Sequence, residues 1–247
     1  MTQPSSGAFV AQLSWPEVAQ RIEAGAVAVL PVGAACKEHG PHLPMNTDYL
    51  QAEWLAAALV QRADVLVWPT VAYGHYPAFT DYPGSISLAR ETFECLVREI
   101  LADIHRAGAR TLLVLNTGIS TIKPLQVAGA AMAASMRVEL ANVYAGAHCR
   151  RVTEAIEEQA CGGHADELET SILLAIGAEH VDREKAVAWT PPAPVASGPF
   201  SRSDPAHPRY TPSGVWGDPT LASAEKGRRL LAAMVKDLLA TVTALET

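Results

Sequence analysis

The chain has 247 residues, 49% of them apolar and 18% charged, with a formal charge of −7. That length can build a sizeable core without disulfides or a structural metal, and the balance excludes a disordered or fibrous chain. An acidic sequence whose paired arginines are Arg150-Arg151 and Arg228-Arg229, both expected on solvated helix faces, offers no basic patch for nucleic acid.

No apolar stretch reaches the length that spans a bilayer, and no basic-then-apolar leader opens the chain. Cys36, Cys95, Cys149 and Cys161 show no Cys-x-x-Cys spacing. The expectation is a reduced, cytoplasmic protein with no membrane or nucleic-acid partner.

Residues 1–12 read as a loose lead-in. Ser14-Trp15-Pro16-Glu17 is a helix start, with Ser14 as cap, Pro16 in the first turn and Glu17 completing a capping box. That helix should reach Ala24 and stop at Gly25. Ala26-Val27-Ala28-Val29-Leu30 then reads as a buried strand ended by Pro31-Val32-Gly33. Further strands are expected over 65–68, 111–115 and 138–144. Helices are expected after Asp48, around Phe93 to Gly108, and over 125–135. This alternation predicts a three-layer α/β/α sandwich with a mostly parallel sheet, in one domain spanning 1–247.

Cys36-Lys37-Glu38-His39-Gly40-Pro41-His42-Leu43-Pro44-Met45-Asn46-Thr47-Asp48 follows the first of these strands. Carboxylates and imidazoles delivered together at a strand's C-terminal end suit a divalent metal, and that end is where open α/β sheets place their active sites. Glu38, His39 and Asp48 are the candidate ligands. The same residues also suit a polar surface loop, with His42 packed between Pro41 and Leu43.

Residues 73–88 form a Pro- and Gly-punctuated aromatic loop whose rings could wall a pocket or pack on their own domain. Gly162-Gly163-His164-Ala165-Asp166-Glu167-Leu168-Glu169-Thr170-Ser171 reads as a helix start, with His164 at its mouth and Asp166 near Glu169. Its acids could equally be partners of the helix dipole. Residues 187–218, rich in Pro, Ser and Gly, are too many for a simple connector and read as a lid, a subunit contact or a mobile loop. A last helix carries Leu230, Leu231, Met234, Leu238 and Leu239.

Several of these stretches together resemble the creatininase (creatinine amidohydrolase) family. Pro31-Val32-Gly33 through Asp48 is similar to its Glu-x-His-Gly-x-His-Leu-Pro loop and following Asp; Pro83-Gly84-Ser85-Ile86-Ser87-Leu88 to its Pro-Gly-Thr-hydrophobic-Ser-Leu segment; Gly163-His164-Ala165 with Glu169-Thr170-Ser171 to its Gly-His-Ala-x-x-x-Glu-Thr-Ser signature. Gly217-Asp218-Pro219-Thr220 and Ala224-Glu225-Lys226-Gly227 extend the likeness, which runs from about Leu13 to about Leu239.

The resemblance implies a metal-dependent amidohydrolase acting on a small cyclic amide or formamide, commonly as a homo-oligomer. It implies one or two divalent ions per chain, zinc, manganese or iron, on Glu38, His39, Asp48 and Glu169. His164 would give a proton to the leaving nitrogen, and Lys37 would polarise the carbonyl or replace one metal's charge. His75, Phe79, Tyr82, Ser85, Thr117 and Ser120 are the candidate substrate-binding residues. Two departures stand out: Lys37 occupies the position of the family's acidic ligand, and Asn116-Thr117-Gly118 replaces its Asn-Gly-His. The competing expectation is a ligand-binding homologue without hydrolysis, or a metal-assisted lyase or isomerase.

Overall fold

The computed structural model describes residues 7–191 and 195–246; expectations for residues 1–6 and 192–194 lie outside them. The elements run β1 (Ala8–Phe9), α1 (Trp15–Glu23), β2 (Val27–Val32), α2 (Thr47–Val60), β3 (Val65–Val67), α3 (Arg90–Arg106), β4 (Thr111–Asn116), α4 (Ile122–Ala130), β5 (Arg137–Asn142), α5 (Ala147–Ile156), α6 (Glu167–Ile176) and α7 (Ala224–Leu245).

The five strands pair in parallel, in the order β1-β3-β2-β4-β5. Strand residues sort by the two-residue period of the pleat. Val27, Val29, Val65, Val67, Leu113 and Leu115 face one core, filled by α2, α6 and α7 with Cys149 and Ile156 of α5. Ala28, Leu30, Leu112 and Val114 face the other, where Phe93, Val97 and Leu101 of α3 meet Leu125 and Ala128 of α4. The α/β/α sandwich with a parallel sheet is therefore the fold.

Three expectations shift in detail. Residues 8–9, read as part of a loose lead-in, form edge strand β1 beside β3; two residues of pairing are too few to leave a periodic signal. Pro31 does not end β2, which continues to Val32. Pro31 presents its carbonyl, and hence its missing N–H, towards the β3 side, where β3 has already stopped at Val67 and the Val71 N–H takes the carbonyl at 2.9 Å, so no ladder bond is lost. Residues 131–135 leave α4 for turns. Among the described residues no helix is long and apolar enough to cross a membrane.

The chain passes from β2 through α2 to β3 on one side of the sheet and returns to β4 on the other. The carboxyl ends of β2 and β4 therefore bound a topological switch point, where the loop crossings leave a crevice.

Candidate metal centre at the switch point

The loop leaving β2 is pinned before it reaches the site. The Lys37 N–H donates to the Met45 carbonyl at 3.0 Å, and the Glu38 N–H to Ser85 Oγ at 3.0 Å. Lys37, Glu38, His39 and Asp48 are all buried, the last in the first turn of α2. On the far side of the sequence, Asp166 caps α6 by accepting from Leu168 and Glu169 N–H groups at 2.9 and 3.1 Å. Ala165 just before it has φ 49°, a left-handed conformation costly for a residue with a Cβ. It is fully buried, and its N–H is held by the Glu169 carboxylate. This strained turn aims His164 inward.

His39 and His164 lie with ring centroids 4.9 Å apart. One donor atom from each of His39, His164 and Glu169 falls within 4.8 Å of the others. Each imidazole has one nitrogen committed. His39 Nδ1 lies 2.9 Å from the Lys37 carbonyl, and a carbonyl can only accept, so that nitrogen carries the proton. His164 Nε2 lies 2.8 Å from the Glu38 carbonyl and 3.0 Å from Glu38 Oε2, so it too is the N–H.

The remaining nitrogens then face carboxylates. His39 Nε2 is 3.1 Å from Asp48 Oδ1, and His164 Nδ1 is 3.6 Å from Glu169 Oε2. A lone pair opposed to a carboxylate requires a cation between or beside them, either a second ring proton or a metal. Anchoring one imidazole nitrogen on a carbonyl or carboxylate is how proteins orient metal-binding histidines. Two imidazoles and one carboxylate form a donor set that suits zinc or a similar divalent ion. The residues fit one such ion, held by His39, His164 and Glu169.

The electrostatics follow from burial and pairing. Burial alone would lower the His164 pKa, but the Glu38 carboxylate outweighs it and holds it above the ordinary value. Burial would raise Glu38, which His164 instead keeps below the usual carboxylate range. Lys37 is likewise pushed down by burial and carried back above its ordinary value by Asp48, Glu169 and Glu38. Its Nζ sits 2.7 Å from Asp48 Oδ2.

The four candidates of the β2 loop are thus together, but in two roles. His39 shares a donor cluster with Glu169 and His164. Glu38 turns its carboxylate to His164 and the Gly40 N–H, and Asp48 is occupied by Lys37 and His39.

Of the substrate-binding candidates, Phe79 packs at a tilt against His164, ring centroids 4.4 Å apart, and Ser85 fixes the Glu38 backbone. Tyr82 donates its hydroxyl to the Thr211 carbonyl at 2.6 Å. His75 is taken by the Leu88 carbonyl at 3.0 Å. Thr117 is spent on the Val32 and Asp48 carbonyls, both at 3.1 Å, and Ser120 is half-buried on the loop before α4.

For residues 187–218 the sequence left a lid, a subunit contact and a mobile loop open, and two of their aromatics form a cover. Phe200 and Trp216, from the Pro-rich segment, pack with Phe79, Tyr76 and Tyr82 over the site. Arg209 lies over the Phe200 and Trp216 rings at 4.2 and 4.6 Å. Trp216 is also tied to His164 by a pair of main-chain hydrogen bonds, at 3.2 and 2.8 Å. The signal available was three aromatics in a stretch too long for a connector, but nothing in it named what they cover.

The family model for creatinine amidohydrolase, Creatininase, matches residues 11–242. The creatinine amidohydrolase of Pseudomonas putida is 28% identical over 95% of this chain and 95% of its own. The mycofactocin precursor peptide peptidase of Mycolicibacterium smegmatis is 31% identical over 84% of this chain and 80% of its own. A solved mutant creatininase of Zn-Zn type superposes with a TM-score of 0.80 at 25% identity, covering 98% of both chains.

Proposed function

We propose, for a chain that belongs to the creatininase family, that it is a metal-dependent amidohydrolase cleaving a C–N bond in a small cyclic amide or formamide. The observation that carries this reading is the buried cluster of His39, His164 and Glu169, with each imidazole anchored through one nitrogen and presenting the other. A zinc or manganese ion bound there supplies Lewis acidity, lowering the pKa of water towards about 7 and polarising a carbonyl.

The protein's own groups do the rest. The Lys37 and Glu38 carbonyls fix the two imidazole rings. Glu38 Oε2, 3.0 Å from His164 Nε2, accepts that N–H and so holds the ring in the tautomer that presents Nδ1 to the ion. Phe79, Phe200 and Trp216 exclude bulk water, which strengthens every charge interaction beneath them. A site closed over by rings favours a small molecule over an extended peptide. Four free cysteines support a reducing cytoplasm. Trp15, an exposed ring that shares one apolar groove with Leu13, Val18 and Ile22, supports a homo-oligomer.

The test is carboxylate release from a panel of small cyclic amides by zinc- or manganese-loaded protein, beside Glu169→Gln. Release by the wild type, reduced at least a hundredfold in the variant, is expected. Equal release by both would remove Glu169 from the mechanism, and no release by metal-loaded wild type across the panel would favour the non-hydrolytic homologue.

A further inference from the structure

We propose that the Lys37 ammonium is a built-in cation standing where a second metal ion would otherwise be needed, so that this site takes one divalent ion per chain. The inference rests on the metal-dependent reading above and concerns how many ions that site accepts.

Asp48 is the group that demands a cation. It is 1% exposed, and Oδ2 has no aligned hydrogen-bond donor. Its compensation is the Lys37 Nζ at 2.7 Å, in an ion pair whose side chains are 6% and 1% exposed. A buried carboxylate left without a cation is strongly unfavourable. Here the chain itself supplies the charge.

Lys37 is not free to leave. Its N–H is held by the Met45 carbonyl, and its Nζ lies 4.9 Å from the Phe79 ring centroid and 5.8 Å from that of Tyr76. These ring faces favour a cation at that place. A second dication brought against Asp48 would meet this ammonium at close range in a site shielded from solvent, where like charges repel strongly.

With Lys37 in place, Asp48 has no second carboxylate of the described residues beside it with which to hold another ion. Among the described residues, His39, His164 and Glu169 form the one group of three or more metal-type side chains. The loop beyond β4, the other wall of the crevice, turns its polar groups on itself. Asn116 Nδ2 donates to the Gly118 carbonyl, Thr121 Oγ1 to Asn116 Oδ1 at 2.7 Å, and Thr117 Oγ1 to main-chain carbonyls. The solved mutant creatininase that superposes on this chain is of Zn-Zn type. An ammonium offers charge and N–H donors but no open coordination position, so water activation falls to the single ion on His39, His164 and Glu169.

The experiment counts ions. The full chain is loaded with excess zinc, and separately with manganese, dialysed, and assayed by elemental analysis and isothermal titration calorimetry, beside Lys37→Glu. The wild type is expected to hold about one ion per chain with a single-site isotherm. Lys37→Glu, which removes the ammonium and adds a carboxylate beside Asp48, is expected to rise to about two.

Two ions in the wild type overturn the proposal while leaving the amidohydrolase reading intact. So does a Lys37→Glu variant that keeps the wild-type circular dichroism and still holds one. A wild type that holds none overturns both. If the variant does not fold, the wild-type count and isotherm decide alone.

Discussion

His164 Nε2 donates to the Glu38 carbonyl at 2.8 Å, joining residues 126 positions apart. This bond brings the β2 loop and the mouth of α6 into one site, and the Glu38 carboxylate beside it holds the same N–H at 3.0 Å. The ring of His164 is thereby fixed from one side by Glu38 and from the other by Phe79.

That arrangement depends on Gly214. It has φ +84°, and a Cβ there would land on Glu38 Oε1. Gly25 has a similar φ of +91° with open space around it. Both Gly→Ala substitutions incur the left-handed backbone penalty, about 1–2 kcal/mol. Gly214→Ala alone also displaces Glu38. Urea unfolding and amide hydrolysis on both variants should show similar stability losses in backbone strain but a loss of activity confined to Gly214→Ala. Equal activity in the two would separate Glu38 from catalysis.

His42 gives the pH prediction. It is buried, its Nε2 lies 2.8 Å from Thr170 Oγ1, and burial, helped by the charge of His39, lowers its pKa to about 4. The unfolded chain titrates histidine near its ordinary value of about 6.5. Between these values the unfolded state binds the extra proton, so this residue's share of stability is present above about pH 6.5 and falls as pH drops towards 4. In metal-free protein, the stability gap between wild type and His42→Gln should narrow from pH 7 to pH 4.5. A gap that widens would give His42 the opposite shift.

Lys226 pairs with Glu167, which is wholly buried and also accepts the Glu158 and Gln159 N–H groups at 2.9 and 2.8 Å. Removing one partner of such a pair strands the other charge. Lys226→Met should lower stability by about 3 kcal/mol, read as a drop in urea midpoint with unchanged slope. It touches neither His39 nor Glu169, so metal content of the folded variant should be unchanged.

The aromatic cover must open for substrate to arrive, because His39 is 0% and His164 2% exposed. Arg209, stacked on Phe200 and Trp216, holds it shut through contacts worth about 1 kcal/mol. Arg209→Ala should speed hydrogen exchange at the Phe200 and Thr211 amides, which are bonded to the Ala78 and Ser201 carbonyls. Unchanged exchange there would make the arginine ornamental to the closure.

Much of this was readable from local patterns. The apolar runs of β2, β3 and β4 and the stripes of α3 and α7 carry the sheet and its two cores, because period and burial are properties of short windows. The Ser14-Glu17 capping box at α1 appears as expected. Gathering Lys37, Glu38, His39 and Asp48 on one strand end was legible for the same reason. What was not legible depends on long-range closure. Nothing near Glu38 tells its carboxylate to face His164 rather than an ion, and the closeness of His164 and Glu169 to His39, which the family resemblance implies, follows from no local pattern and arises as α6 docks beside the β2 loop. The cover of Phe200, Arg209 and Trp216 has no periodicity to read. Lys37 suited either a carbonyl or a missing cation, and only its distance to Asp48 favours the second.

The most direct measurement follows hydrolysis of a cyclic amide substrate through removal and return of the metal. Exhaustive chelation is expected to abolish carboxylate release in wild-type protein of unchanged circular dichroism, and zinc or manganese to restore it. Restoration should fail in His39→Ala and Glu169→Gln. Full activity in protein shown to be metal-free by elemental analysis would contradict this metal dependence.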